Sequence, residues 1–267
     1  MFDSLFLGVV QGLTEFLPVS SSGHLALFQM ALGWKHTSLA FELLLHVATL
    51  GAVLLFFGPD ILILGEEWFR GLWNREFRRR GGWIYGWALL GGTALTVCVA
   101  LPLKKFVEGA FASPFLVGGA LVVTGIVLFL PRFFPGGEKK LSLFAGCCVG
   151  LVQGVAAFPG ISRSGATIVA GLGLGLSREE AFRFSFLLSV PAILGGMVLE
   201  LLDLGGFGAL GAQLPPGAWL GALAAFVSGY GALLLLRRVV LFGKWHWFGM
   251  YCTMLGFGAL LWSWIVL

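Results

Sequence analysis

GVVQGLTEFLPVSSSG, Gly8 to Gly23, and GLVQGVAAFPGISRSG, Gly150 to Gly165, are the stretches on which the reading of this 267-residue chain turns. Laid over one another without a gap, the first meets an identical residue in the second at Gly8, Val10, Gln11, Gly12, Phe16, Ser20, Ser22 and Gly23. Shared hydrophobicity does not account for the match, because Gln and paired Ser are scarce elsewhere in the chain. Each motif lies inside a longer apolar stretch, about 4–32 and about 141–176. A membrane span needs ~20 mainly apolar residues. These stretches are too long for one span and, interrupted by Pro, Gly and hydroxyls, too broken for two. Each reads as a re-entrant helix-loop-helix hairpin.

The likeness continues outward from the hairpins. FELLLHV, Phe41 to Val47, matches FSFLLSV, Phe184 to Val190. Six ordinary spans are expected at about 39–58, 83–103, 113–131, 182–203, 216–236 and 246–266. The chain therefore reads as one membrane domain, 1–267, duplicated internally into about 1–131 and about 132–267. Each half is a hairpin plus three transmembrane helices, and an odd number of crossings inverts the second copy. The expected fold is an all-α polytopic membrane protein built as an inverted-topology repeat.

Composition excludes the alternatives. With 58% hydrophobic residues, 11% charged and mean hydropathy +0.94, the chain has under half the ~25% charge of a soluble domain and could not cover a water-facing surface. Disorder needs low hydrophobicity and high charge, and a transmembrane barrel shows ~10-residue alternating segments; neither is present. The net charge of +4 resides in short loops, the mark of membrane orientation rather than of a nucleic-acid partner. Cys98, Cys147, Cys148 and Cys252 lie in apolar runs without metal-ligand spacing and read as small core residues. The N-terminal segment carries Asp3 where a signal peptide would be basic, and reads as retained structure.

The basic residues test the inversion. Arg70, Arg75, Arg78, Arg79 and Arg80 follow the first span, whereas the corresponding segment 203–216 has no Lys or Arg. If the Arg70–Arg80 loop is cytoplasmic, six crossings put Arg132, Lys139, Lys140, Arg178, Arg183, Arg237, Arg238 and Lys244 on the same side. Lys35, Lys104 and Lys105 fall outside and Arg163 within a hairpin. Both termini are then extracytoplasmic, and the hairpins dip in from opposite faces. Inverted repeats with broken helices place a binding site at the repeat interface.

Irregular backbone at membrane depth must be buried in protein or line a wet cavity, so the tips PVSSSGH and PGISRSGAT should meet in a polar chamber. Gln11 and Glu15 share a helix face four residues apart; Ser20, Ser21, Ser22 and His24 follow Pro18. In the second copy Ala157 replaces the acid and Arg163 stands where Ser21 would fall. Intramembrane Glu15 and Arg163 are costly and read as functional, their plain alternative being a structural ion pair across the repeats. For Ser20, Ser22, Ser162 and Thr167 the plain alternative is a hydrogen bond to neighbouring backbone. Glu42 and His46, on the adjacent span, stay open between a site role and packing; His36 and His246 read as ordinary interfacial residues. An Arg, hydroxyls, Gly-freed amides and helix N-termini describe a phosphate site. A carboxylate among them favours phosphoryl transfer over simple anion binding, and the bilayer setting favours a lipid phosphate or diphosphate.

VVQGLTEFLPVSSSGHL (Val9 to Leu25), FPGISRSGATI (Phe158 to Ile168) and SFLLSVPAILGG (Ser185 to Gly196) resemble the undecaprenyl-diphosphate phosphatase family, also called the bacitracin-resistance protein family. The resemblance implies a bacterial inner-membrane enzyme that hydrolyses undecaprenyl diphosphate to undecaprenyl phosphate and inorganic phosphate. That reaction recycles the lipid carrier for peptidoglycan, and excess activity confers bacitracin resistance. The family's acidic motif is matched by Gln11 and Glu15, with a single carboxylate here. Its PGxSRSxxT motif is matched by Pro159, Gly160, Ser162, Arg163, Ser164 and Thr167, and Ser21 and His24 match further residues the family is thought to use. On this resemblance Glu15, Ser21, His24 and Arg163 are the catalytic candidates. Ser20, Ser22, Gly160, Ser162, Arg163, Ser164 and Thr167 are candidates for holding phosphate. Mg²⁺ or Ca²⁺ on Glu15, with Gln11 or Glu42, is the expected cofactor. The nucleophile is left open between Ser21, His24 and water on Glu15. Expected partners are the polyprenyl diphosphate and membrane lipid, with a homodimer left open. A lipid-phosphate flippase is the alternative of another class, since inverted repeats also serve alternating access.

Overall fold

The computed structural model describes residues 1–32, 38–134 and 136–266; Lys35 and His36 lie outside the described residues. The first hairpin is α1 (Phe2–Phe16) and α2 (Ser21–Leu32), followed by α3 (Leu39–Phe56), α4 (Gly58–Gly71), α5 (Gly81–Ala110) and α6 (Pro114–Phe129). The second is α7 (Leu143–Val155) and α8 (Arg163–Gly173), followed by α9 (Arg178–Asp203), α10 (Phe207–Ala212), α11 (Ala218–Phe242) and α12 (His246–Val266). Among the described residues six helices are long and apolar enough to cross a membrane, and they are the six expected spans.

Serine caps set several starts. Ser38, Ser113, Ser142, Ser162 and Ser177 each accept a backbone N–H from three residues ahead, satisfying a donor that lipid could not. The expected loop after α3 is in part a helix. Pro59 in the first turn starts α4 one residue after α3 ends, and the helix presents Leu62 and Ile63 outward while Leu64 is buried. Glu66 and Arg70 pair one turn apart at 2.9 Å near its end. At fourteen residues, with four charges, α4 falls short of a span, so hydropathy along the chain does not reveal it.

The helices pair as α1 with α11, α7 with α5, α6 with α12 and α3 with α9. Gly8 and Gly150 mark equivalent close approaches. A Cβ on Gly8 would sit 2.1 Å from the Gly221 carbonyl oxygen, and one on Gly150 would sit 2.1 Å from that of Gly92. One turn later Gly12 packs on Ala225 and Gly154 on Thr96. This recurrence is compatible with two halves related by a two-fold axis. At one end of the bundle Ser4 donates to the Pro216 carbonyl at 2.9 Å and Lys104 meets Asp203 at 2.8 Å. At the other, Arg237 meets Glu179 and Arg178 donates to the Leu241 carbonyl, both at 2.7 Å.

The core that fixes the site is aromatic. Phe16, the last residue of α1, is fully buried, its ring 5.8 Å from that of Phe186, which also meets Phe57 at 5.8 Å and Phe182 at 4.9 Å. In a bilayer it is the close contacts of such rings rather than their removal from water that stabilise the packing, and Phe16 so held keeps the preceding residue, Glu15, in register with the bundle.

Candidate active site

Both hairpins turn in the interior, and their tips are bonded to each other. Ser20 has φ 69, a left-handed conformation rare outside glycine that persists only where surroundings hold it. Its Oγ accepts the N–H of Gly160 at 3.1 Å and that of Gly23 at 3.3 Å, and its carbonyl oxygen lies 2.8 Å from His24 Nδ1. Gly160 has φ 97, and a Cβ there would stand 2.6 Å from the Val117 carbonyl oxygen. Thr124 of α6 clamps the second tip: its hydroxyl donates to the Gly160 carbonyl at 2.8 Å and accepts the Ser162 N–H at 3.0 Å.

These turns deliver three groups to one carboxylate. Glu15 Oε1 accepts from Arg163 Nη2 at 2.5 Å, across the two hairpins. Glu15 Oε2 accepts from Ser21 Oγ at 2.6 Å and Gln11 Nε2 at 3.1 Å. The Arg163 and Glu15 side chains are 18% and 7% exposed, so the pair is largely shielded from water and its interaction stronger than a surface ion pair. Arg163 is the first residue of α8, whose positive dipole end adds to its charge. Ser162 caps that helix through the Gly165 N–H at 3.1 Å and lies 3.3 Å from Ser164 Oγ.

Glu15, Ser20, Ser21, Ser22, Ser162 and Arg163 open together onto a cavity of about 560 Å³. The remaining expected residues stand behind it. Gln11 is fully buried and supports Glu15; Gly160 serves the tip backbone. Ser164 donates to the Leu17 carbonyl at 3.5 Å. Thr167 donates to the Arg163 carbonyl at 2.7 Å and shares a 2.5 Å contact with Ser185. His24 is buried, and both ring nitrogens are engaged, Nδ1 with the Ser20 carbonyl and Nε2 with Tyr251 Oη at 2.6 Å. A carbonyl can only accept, so Nδ1 carries the hydrogen and the neutral ring accepts from tyrosine at Nε2. Glu42 accepts from Gln29 Nε2 at 2.9 Å rather than joining Glu15, while His46, bonded to the Glu42 carbonyl, does reach the cavity.

Sequence reasoning missed Thr124, Tyr251, Gln153, Thr96 and Glu200. Gln153, the counterpart of Gln11, donates to Thr96 Oγ1 at 3.2 Å, and both face the cavity, as does Glu200 from α9. The repeat carried a signal for Gln153; a lone Thr or Tyr in an apolar span carried none.

A carboxylate within hydrogen-bond reach of a hydroxyl, with a guanidinium on the same carboxylate, is an arrangement that can take a proton from that hydroxyl and gather an anion beside it. The family model described as bacitracin resistance protein BacA matches residues 4–258. The chain belongs to that family. It is 45% identical over 270 residues to a protein of Desulfosudis oleivorans named undecaprenyl-diphosphatase, covering 97% of each chain. It is 39% identical over 272 residues to one so named in Desulfatibacillum aliphaticivorans, covering 95% of each. It is also 39% identical over 266 residues to one from Korarchaeum cryptofilum, covering 97% of each.

A divalent cation fits this BacA-family site only with help from the substrate. Among the described residues no three His, Cys, Asp or Glu side chains converge as metal ligands. Glu15 and the buried, unpartnered Oε1 of Gln11 are the protein oxygens that would hold one, the diphosphate completing the shell as is usual for Mg²⁺.

Proposed function

We propose that this chain is a membrane phosphatase that hydrolyses undecaprenyl diphosphate to undecaprenyl phosphate and inorganic phosphate, recycling the lipid carrier of cell-wall synthesis. The observation that carries it is the Glu15 carboxylate, bonded to Ser21 of its own hairpin and to Arg163 of the other. In this scheme the terminal phosphate enters beside Arg163 and the capped start of α8, which neutralise its oxygens. Ser21 Oγ attacks the terminal phosphorus and Glu15 takes the hydroxyl proton. The bond to the bridging oxygen breaks, and undecaprenyl phosphate leaves with that oxygen and its electron pair. Glu15 then returns its proton to the departing product and, deprotonated again, draws one from a water whose oxygen attacks the phosphoserine phosphorus; the Ser21 Oγ–P bond breaks, Glu15 gives that proton to the leaving Ser21 Oγ, and inorganic phosphate is released. Ser20, Ser22 and Ser162 supply hydroxyls around the oxygens. His24, held on both nitrogens behind the cavity, is a positioning residue for the Ser20 turn rather than the nucleophile. A bound Mg²⁺ or Ca²⁺ would neutralise further charge on the diphosphate. We place the protein in the bacterial inner membrane with the Arg70–Arg80 loop cytoplasmic and both termini outside. The polyprenyl diphosphate and surrounding lipid are its partners.

The test is phosphate release from undecaprenyl diphosphate by purified protein in detergent, where no transbilayer gradient exists. Release by wild type, lost in Ser21→Ala while substrate still binds, is expected. Lipid movement across vesicle membranes without any release would instead make the chain a flippase.

A further inference from the structure

The seam between α5 and α9 holds two recesses, and Pro191, inside α9, lines both. On one side is the catalytic cavity, whose wall away from Glu15 and Arg163 is apolar, formed by residues such as Leu101 of α5 and Met197 of α9. On the other side is a recess of about 260 Å³, nearer the starts of both helices and covered by α4. Its lining includes Leu187 and Val190 of α9, Leu90 of α5, and Leu64 and Gly65 of α4; every side chain there is apolar apart from the indole N–H of Trp68.

The occupant follows from continuity with the site. With its diphosphate at Arg163, a polyprenyl chain that leaves the cavity past Pro191 enters the second recess, because Pro191 lines both. Eleven isoprene units, extended, are longer than the ~30 Å hydrocarbon core and outrun the first cavity, and Pro191 is the residue that cavity shares with the second recess. Lipid tails are as apolar as the recess, so burial alone gives little preference there. Selection must come from shape, through contacts a fitted chain makes and a void forfeits.

We infer that the recess beneath α4 is a distal subsite for the polyisoprenyl chain, which favours long-chain over short-chain diphosphates. The inference rests on the phosphatase reading and adds a chain-length selector to it. Gly65 supplies the test, because a Cβ there would meet no atom within 4 Å. Gly65 lines the recess and its Cβ position is open, so Gly65→Phe is the variant that adds bulk at the recess, and Gly65→Ala is the control that leaves it open.

Phosphate release is measured in mixed micelles with undecaprenyl diphosphate and with farnesyl diphosphate, whose three isoprene units leave far less chain to place in the recess than eleven do. Gly65→Phe is expected to raise KM for undecaprenyl diphosphate about tenfold, the low end of what apolar pockets discriminate. Its KM and kcat for farnesyl diphosphate, and both constants of Gly65→Ala on either substrate, should match wild type. An unchanged KM for the long chain in Gly65→Phe, or an equal loss on both substrates, overturns the subsite while leaving the phosphatase intact. No release by wild type from either substrate would overturn the phosphatase reading itself.

Discussion

Replacing Glu15 by Gln removes the charge while keeping the shape of the group on which the site converges. Ser21 lies 2.6 Å from Glu15 Oε2, within the ~2.5–2.7 Å range of an O–H donor on a carboxylate. The amide that replaces it cannot take the proton. General-base assistance is worth about 10²–10⁴-fold, or roughly 3–5 kcal/mol of barrier at 1.36 kcal/mol per decade. Arg163 loses its shielded counter-charge at the same time, so the phosphate becomes its only anionic partner and substrate binding does not weaken. The expected outcome is a kcat lower by about 10²–10⁴-fold with KM unchanged or reduced. A melting curve in detergent separates folding from chemistry, since a partly unsatisfied buried guanidinium costs about 1–3 kcal/mol. A folded Glu15→Gln protein with kcat within tenfold of wild type, or a KM raised as much as kcat falls, would refute the assignment of Glu15 as base.

Three further predictions use other parts of the site. His24→Ala removes the ring's bonds to the Ser20 carbonyl and the Tyr251 hydroxyl, but that carbonyl keeps the backbone N–H of residue 24 at 3.2 Å and Tyr251 is exposed, so it should cost about 0.5–1.5 kcal/mol of stability per lost bond; wild-type melting behaviour with abolished phosphate release would instead make His24 catalytic. Gly160→Ala, at φ 97 and with its new methyl 2.6 Å from the Val117 carbonyl oxygen, should destabilise by more than about 1 kcal/mol and lower activity through the Ser20 contact; unchanged melting and turnover would contradict that. EDTA should slow phosphate release and added Mg²⁺ or Ca²⁺ restore it, whereas full release in EDTA removes the cation from the mechanism.

The hairpins and spans were legible because their signals are local: a run of about twenty apolar residues, or a longer one broken at Pro18 or Pro159. The meeting of Glu15 with Ser21 and Arg163 was legible through the duplication, which sets the two tips in correspondence along the chain and so points them at one interface. Helix α4 was hidden because its four charges and fourteen residues resemble the flank of a loop, and only packing against α5 makes it a helix of the bundle. Thr124 and Tyr251 were hidden for a different reason. A single hydroxyl in an apolar span ordinarily bonds its own helix, and the contacts that give these two a role come from the second hairpin and from His24, distant in sequence. Glu42 was drawn toward the site by proximity in the chain, and in the fold its carboxylate is bonded to Gln29.

The central claim is that the two hairpins make one reaction site, and a double-mutant cycle on phosphate release from undecaprenyl diphosphate tests it most directly. Glu15→Gln, Arg163→Ala and the double variant are compared with wild type in the same detergent. Residues acting as a unit are grossly non-additive, so the double variant should lose little more activity than the worse single one. Losses that multiply would mean that Glu15 and Arg163 act independently, and would contradict a site shared across the repeat.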